Sequence, residues 1–261
     1  MSAIDLHARP SKDFAAKLAE TQALLVQAMQ DYAPGAPGAG ARITQASSLG
    51  AEDMVISHLI NSLQLDIGIF VLETGRLHAE TLELLRSFQA ASRAPVTVYT
   101  PVNASVVQFV NREGNDAMFK SIALRKECCN VRKMEPLARA LAGKDAWITG
   151  LRREQSGARA DVPLVDNSEP RTKLNPLANW TWGDVWHYIS QNQVAYNPLH
   201  DQFFPSIGCE PCTRAISLGE DFRSGRWWWE AELEGGSAKE CGLHVKATPL
   251  PVSSLSEKTS A

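Results

Sequence analysis

The placement of five cysteines restricts this chain more than any other feature. Cys128 and Cys129 are adjacent in Lys126-Glu-Cys-Cys-Asn-Val-Arg-Lys133, and Cys209 and Cys212 form a C-x-x-C in Gly208-Cys-Glu-Pro-Cys-Thr213. The pairs stand about 80 residues apart, so a shared site would have to be assembled by the fold, tying the middle of the chain to its C-terminal part. Four thiols suit either Zn²⁺ or an iron–sulfur cluster. Spacing leaves both open, although an adjacent Cys-Cys pair is awkward for one tetrahedral ion and easier on a cuboidal cluster with separate irons. Cys241 stands alone in Lys239-Glu-Cys-Gly-Leu-His244, beyond the glycine-rich Glu234-Gly-Gly-Ser-Ala238. With Lys239 and nearby arginines its thiolate would be favoured, so it is a candidate nucleophile; an inert exposed thiol is the alternative. His244 is either a general acid or a polar tail residue.

Redox compartment bears on these thiols. The N-terminus shows no basic region followed by an apolar core, and no apolar run approaches about 18 residues, so the sequence predicts a cytoplasmic protein. Disulfides are disfavoured there, and the cysteines read as ligands or redox catalysts. A net charge of -3 argues against a nucleic-acid or acidic-membrane surface and points to a small anion as the partner.

The pattern along the chain is that of an α/β protein. Apolar spacing from Ser11 to Ala33 predicts an amphipathic helix, and Pro34-Gly-Ala-Pro-Gly-Ala-Gly40 breaks it as a flexible connector. Strands are expected at 41–46, 67–72, 96–99 and 146–149. Helices are expected at 54–60, 78–91, 105–112, 117–126 and 185–190, the last opened by a capping pattern at Thr181-Trp-Gly-Asp184. Such alternation implies a parallel, doubly wound sheet, whose ligands gather at the carboxyl ends of the strands. Ser47-Ser-Leu-Gly-Ala-Glu-Asp53 and Glu73-Thr-Gly75 would lie at that edge, the first as an anion-holding turn or simply a capped strand-to-helix turn. The aromatic residues of 182–188 and Trp227-Trp-Trp229 read mainly as core. Arg125 and Lys126 read as a solvated face, while Arg132, Lys133, Arg214, Arg223 and Arg226 could hold a sulfate or phosphate. The expected organisation is an N-terminal helix and connector (1–40), an α/β domain binding nucleotide and cofactor (41–230), and a mobile C-terminal segment (231–261) carrying Cys241.

The set Ser47-Ser-Leu-Gly-Ala-Glu-Asp53, Leu72-Glu-Thr-Gly-Arg-Leu-His78, Cys128-Cys129 with Arg132-Lys133, Gly150-Leu-Arg-Arg-Glu-Gln-Ser156, Cys209-x-x-Cys212 and Glu240-Cys-Gly-Leu-His244 resembles the assimilatory sulfonucleotide reductases, and within them the bacterial adenylyl-sulfate (APS) reductase branch. The resemblance covers roughly residues 42 to 246. It implies a Rossmann-like fold of the adenine nucleotide alpha hydrolase (PP-loop) type and a [4Fe-4S] cluster on Cys128, Cys129, Cys209 and Cys212. Cys241 becomes the nucleophile that takes the sulfonate from adenosine 5′-phosphosulfate, and thioredoxin or glutaredoxin the reductant that releases sulfite; a homo-oligomer is compatible with it. Ser47, Ser48 and Gly50 would hold the nucleotide phosphate, Leu72 and Thr74 would lie near the adenosine, and Lys133, Arg223 and Arg226 would bind the phosphosulfate. Arg152 joins the substrate-binding set, with Arg153 as the alternative contact, and His244 is included beside Cys241. Two positions depart from the family pattern: Leu49 replaces a serine, and Glu73 replaces an aspartate. The alternatives are a reductase preferring the 3′-phosphorylated nucleotide and a zinc-stabilised nucleotide-binding module without turnover.

Overall fold

The computed structural model describes residues 1–35 and 40–231. Two N-terminal helices, α1 (Ala3–His7) and α2 (Phe14–Asp31), lead into β1 (Ile43–Ser47), α3 (Ala51–Ser62), β2 (Gly68–Leu72), α4 (Ala79–Ala91), β3 (Val96–Tyr99) and α5 (Asn103–Glu113). Then come α6 (Ile122–Cys129), α7 (Glu135–Ala140), β4 (Ala146–Ile148), β5 (Val165–Asp166), β6 (Thr172–Leu174) and α8 (Trp182–Asn192), with short 3₁₀ turns between them.

The strands form one sheet in the order β3-β2-β1-β4-β6-β5, parallel except for β5, which pairs antiparallel with β6 at the edge. Side chains on a strand alternate between faces, and both faces here are covered. Ile43, Ile69, Val71 and Ile148 join the large core beneath α3 and α8, whereas Phe70 and Trp147 pack on the opposite face against Leu137 and Leu141. That two-sided burial is why β2 (Gly-Ile-Phe-Val-Leu) and β4 (Ala-Trp-Ile) read as unbroken apolar runs. The expected parallel α/β sheet is therefore present, with β5 and β6 added; at two and three residues they are too short to carry a periodic signal.

The chain runs from β1 outward to β2 and β3, then returns to place β4 on the other side of β1. This reversal opens a crevice at the carboxyl ends of β1 and β4, the usual ligand position in such sheets.

Two helical details position the site. Ser121 caps α6 by accepting the Leu124 amide at 3.1 Å, so the helix begins at Ile122 and not at Ala117. α6 then continues through a π-turn, Asn130–Met134, into α7. Pro136 lacks an amide hydrogen and cannot complete the i→i−4 ladder, which accounts for the widened turn beside it. The N-terminal helices are pinned to α8: Asp184 closes the expected capping box with Thr181 and accepts the Ser11 amide at 2.7 Å and the Lys17 ammonium at 3.2 Å.

Candidate active site

Three walls meet at the crevice around a cavity of about 190 Å³. The first is the turn from β1 into α3. Ser47, Ser48 and Gly50 line the cavity; Leu49, in left-handed backbone (φ 60°), is fully buried and turns its side chain into the core. Gly50 caps α3 without a side-chain bond, so the first amides of that helix look toward the crevice. Asp53 occupies part of this donor set, accepting the Ser48 amide at 2.7 Å and its hydroxyl at 2.6 Å. Burial raises its carboxyl to about 6 against the pull of those two hydrogen bonds, and the Glu52 charge adds to the rise.

The second wall follows β4. Gly150 passes so close to Asp53 that a Cβ there would collide with the carboxylate, which explains glycine at that position. Arg152 is fully buried and does not line the cavity; its guanidinium donates to Glu52 and Glu154, both at 2.9 Å, and stacks over Trp182. Arg153 is exposed and donates to the Val162 carbonyl and the Asn179 side chain. Neither arginine at this edge faces the cavity. Arg159 does: it is buried, lines the cavity and donates to Gln155 Oε1 at 2.5 Å.

The third wall joins the crevice to the thiols. Leu72 and Thr74 line the cavity after β2, and Leu77 forms a bridge with Cys209. Arg223 and Arg226 line the opposite side, where a Cβ on Gly208 would collide with the Arg226 guanidinium. All four cysteines of the two pairs open onto one small adjoining cavity, with Arg132 and Lys133 from the π-turn beside them. Lys133 lines both cavities.

Burial raises the Cys128 thiol, opposed by the Arg132 charge, and pushes the Cys212 thiol to about 12, with Cys209 adding to the rise. Thr74 Oγ1 is 3.2 Å from Cys209 Sγ, and Arg132 donates to the Thr74 carbonyl at 2.8 Å. None of the four is in a disulfide. Among the described residues no three His, Cys, Asp or Glu side chains gather closely enough for a single metal ion. Four thiols that open onto one cavity beside Arg76, Arg125, Arg132 and Lys133 are the residues that would hold a thiolate-bound group, whose negative charge those cations would offset.

Arg125, expected on a solvated face, is instead 4 % exposed, because its guanidinium is held by Glu230 at 2.6 and 3.0 Å and stacks on Trp227; Lys126 is exposed as expected. Arg214 pairs with Glu220 away from both cavities. Cys241 and His244 lie outside the described residues, as does the 232–261 segment as a whole. Arg159 and His200 line the cavity without having been singled out, since isolated polar residues buried against a cavity leave no periodic mark.

The phosphoadenosine phosphosulfate reductase domain model matches residues 42–215. A protein from Burkholderia cepacia named adenosine 5′-phosphosulfate reductase is 46% identical over 242 residues, covering 92% of this chain and 92% of that relative. A protein of the same name from Allochromatium vinosum is 50% identical over 204 residues, covering 77% of this chain and 78% of its own length. Among solved structures, a phosphoadenylyl-sulfate (PAPS) reductase from Candida auris in a phosphate complex superposes with TM-score 0.61 at 26% identity, covering 75% of this chain and 90% of that one. A Candida glabrata FMN adenylyltransferase shares the fold at 13% identity and TM-score 0.54, over 80% of this chain and 68% of its own.

Proposed function

Because this chain belongs to the phosphoadenosine phosphosulfate reductase domain family, we propose that it reduces adenosine 5′-phosphosulfate to sulfite and AMP in the cytoplasm, within sulfate assimilation for cysteine synthesis. The observation that carries this reading is Lys133, a cation shared by the cavity at the sheet's switch point and a cavity lined by four cysteines. The names of the curated relatives supply the substrate.

The residues divide the work by charge and position. Ser47, Ser48 and the first amides of α3 hold phosphate, while Leu72 and Thr74 border the adenosine. Lys133, Arg223 and Arg226 neutralise the phosphosulfate, and as the S–O bond breaks they stabilise the charge that collects on departing AMP. The Cys241 thiolate attacks the sulfate sulfur and becomes an S-sulfonate as AMP leaves. A dithiol protein of the thioredoxin or glutaredoxin class completes the cycle. Its first thiolate attacks Cys241 Sγ and expels sulfite; its second resolves the mixed disulfide, so the dithiol is oxidised by two electrons. Arg152 acts indirectly, by holding Glu52 at the start of α3. A [4Fe-4S] cluster on Cys128, Cys129, Cys209 and Cys212 would supply a fixed, negatively charged centre beside Lys133.

Protein prepared without oxygen should be brown and release sulfite from adenylyl sulfate with a dithiol reductant. Cys241→Ser should lower turnover by at least about 10³-fold while keeping colour and AMP binding; full turnover in that variant would remove Cys241 as nucleophile. The Candida auris relative is named for the 3′-phosphorylated substrate, which makes that nucleotide the second reading. Rates measured side by side on the two nucleotides decide between them.

A further inference from the structure

One polar side chain in the nucleotide cavity is used by neither the phosphosulfate nor the thiols. His200 is 6 % exposed and lines the cavity, and neither Nδ1 nor Nε2 has a hydrogen-bond partner among the described residues. The Phe204 carbonyl stands near enough to favour a proton on the ring, but short of hydrogen-bond geometry. Other orphaned ring nitrogens, on His78, Trp186, Trp227 and Trp229, belong to residues that do not line this cavity. Buried polar atoms are nearly always paired, so an orphan facing a cavity calls for a ligand.

The ring is held firmly. Asn197, at the head of its turn, donates to Thr81 Oγ1 at 2.8 Å and accepts the Leu199 amide at 3.1 Å. Asp201, on the other side, takes the Ala3 amide at 2.7 Å and the Tyr196 hydroxyl at 3.2 Å. Trp186 and Trp182 pack against the imidazole with centroids at 5.3 and 6.0 Å. Such anchoring fixes a hydrogen-bonding group without binding any partner for it.

The surroundings select the ligand's chemistry. Burial holds the imidazole neutral, with its pKa lowered to about 4, although the Glu52 and Asp201 carboxylates favour the proton; His7 opposes them. A sulfate or phosphate oxygen can only accept and gains most from a cationic donor, which a neutral ring is not. A hydroxyl is uncharged and both donates and accepts, so it suits a neutral imidazole in either tautomer. The hydroxyls of a nucleotide are on its sugar. Resting on the reading of the cavity as a sulfonucleotide site, we propose that His200 is a substrate-binding residue that hydrogen-bonds a ribose hydroxyl.

The test is calorimetric binding of AMP, 2′-deoxy-AMP and 3′-deoxy-AMP to the full chain prepared without oxygen, as wild type, His200→Phe and His200→Asn. Wild type should bind one deoxy analogue about three- to tenfold more weakly than AMP, as expected for one neutral hydrogen bond. That discrimination should vanish in His200→Phe and survive in part in His200→Asn. Unchanged discrimination in His200→Phe, or equal binding of all three nucleotides by wild type, overturns the proposal. If the phenylalanine variant fails to fold, ¹⁵N-histidine spectra of wild type serve instead, assigned with His200→Asn. The His200 ring nitrogens must shift with AMP and not with the weaker deoxy analogue, and the absence of a shift rejects the assignment. AMP binding with unaltered discrimination removes His200 alone; no nucleotide binding by wild type removes the sulfonucleotide reading as well.

Discussion

Two buried arginine–carboxylate pairs stand on opposite sides of the crevice and do different work with the same chemistry. Arg125 and Glu230, each with a side chain 5% exposed, join α6 to the last described turn, 105 residues away in sequence. Arg152 and Glu52, 1% and 10% exposed, join the loop after β4 to the first turn of α3 across 100 residues. The first pair stacks on Trp227 in the small core that contains Cys128, Cys209 and Cys212. The second stacks on Trp182 and Phe222 behind the turn from β1 into α3. Desolvation makes such pairs poor sources of net stability, but each is costly to break from one side, because the remaining charge is left buried. Each therefore acts as a fastener: one sets the thiol side, the other the nucleotide side.

Glu230→Ala should have the largest effect on stability. It strands the Arg125 charge, and chemical denaturation should report a loss of about 3–5 kcal/mol. Iron content should fall while AMP affinity in the surviving folded fraction stays within about twofold. Arg152→Ala strands Glu52, costs about 3 kcal/mol on the same grounds, and should reverse the pattern, with weaker nucleotide binding and retained iron. If each variant damages both readouts equally, the two sides form one unit and the contrast collapses.

Asp53 sharpens the nucleotide side. Its folded pKa is raised to about 6, above the ordinary 3.8, so the native state holds the extra proton in that window. The contribution to stability is fully present below about pH 4 and is lost as pH rises through 6, by on the order of 3 kcal/mol. Asp53→Asn should flatten this part of the melting temperature against pH, compared with wild type between pH 4 and 7; an unchanged slope would assign it to other groups. Thr74→Val is the mildest test. It removes the hydroxyl beside Cys209 and the acceptor of the Arg76 amide, and should cost about 1 kcal/mol by denaturant titration, with the thiol side more affected than nucleotide binding.

The same contrast marks what could be read from sequence. β2 was legible because a strand buried on both faces is an apolar run, and the capping box at Thr181 because its residues lie three apart. That the two cysteine pairs could share one site was readable from their chemistry, but how they meet was not. The π-turn presenting Arg132 and Lys133, and the bridge from Leu77 to Cys209, depend on contacts distant in sequence. Arg125 was misjudged as solvated for the same reason: its partner is the remote Glu230, and a charge in a polar helical stretch gives no sign of burial. Arg152 enters the substrate-binding set through the family resemblance, with Arg153 as the alternative, yet its guanidinium turns inward to Glu52. Position at an edge is readable; the direction of a side chain is decided by what packs around it.

The N-terminal helices carry a practical consequence for anyone trimming this protein. The family match begins at residue 42, but α2 buries Thr21 and Leu25 completely, and Thr21 receives the Trp180 indole hydrogen at 2.9 Å. Phe14 packs on Trp180 as well, and Ala3 donates to the Asp201 that flanks His200. A version cut at the homology boundary would leave a tryptophan-rich, sticky surface bare on the back of α8. Low yield or clumping of such a shortened protein would reflect a missing wall, with the catalytic chemistry itself intact.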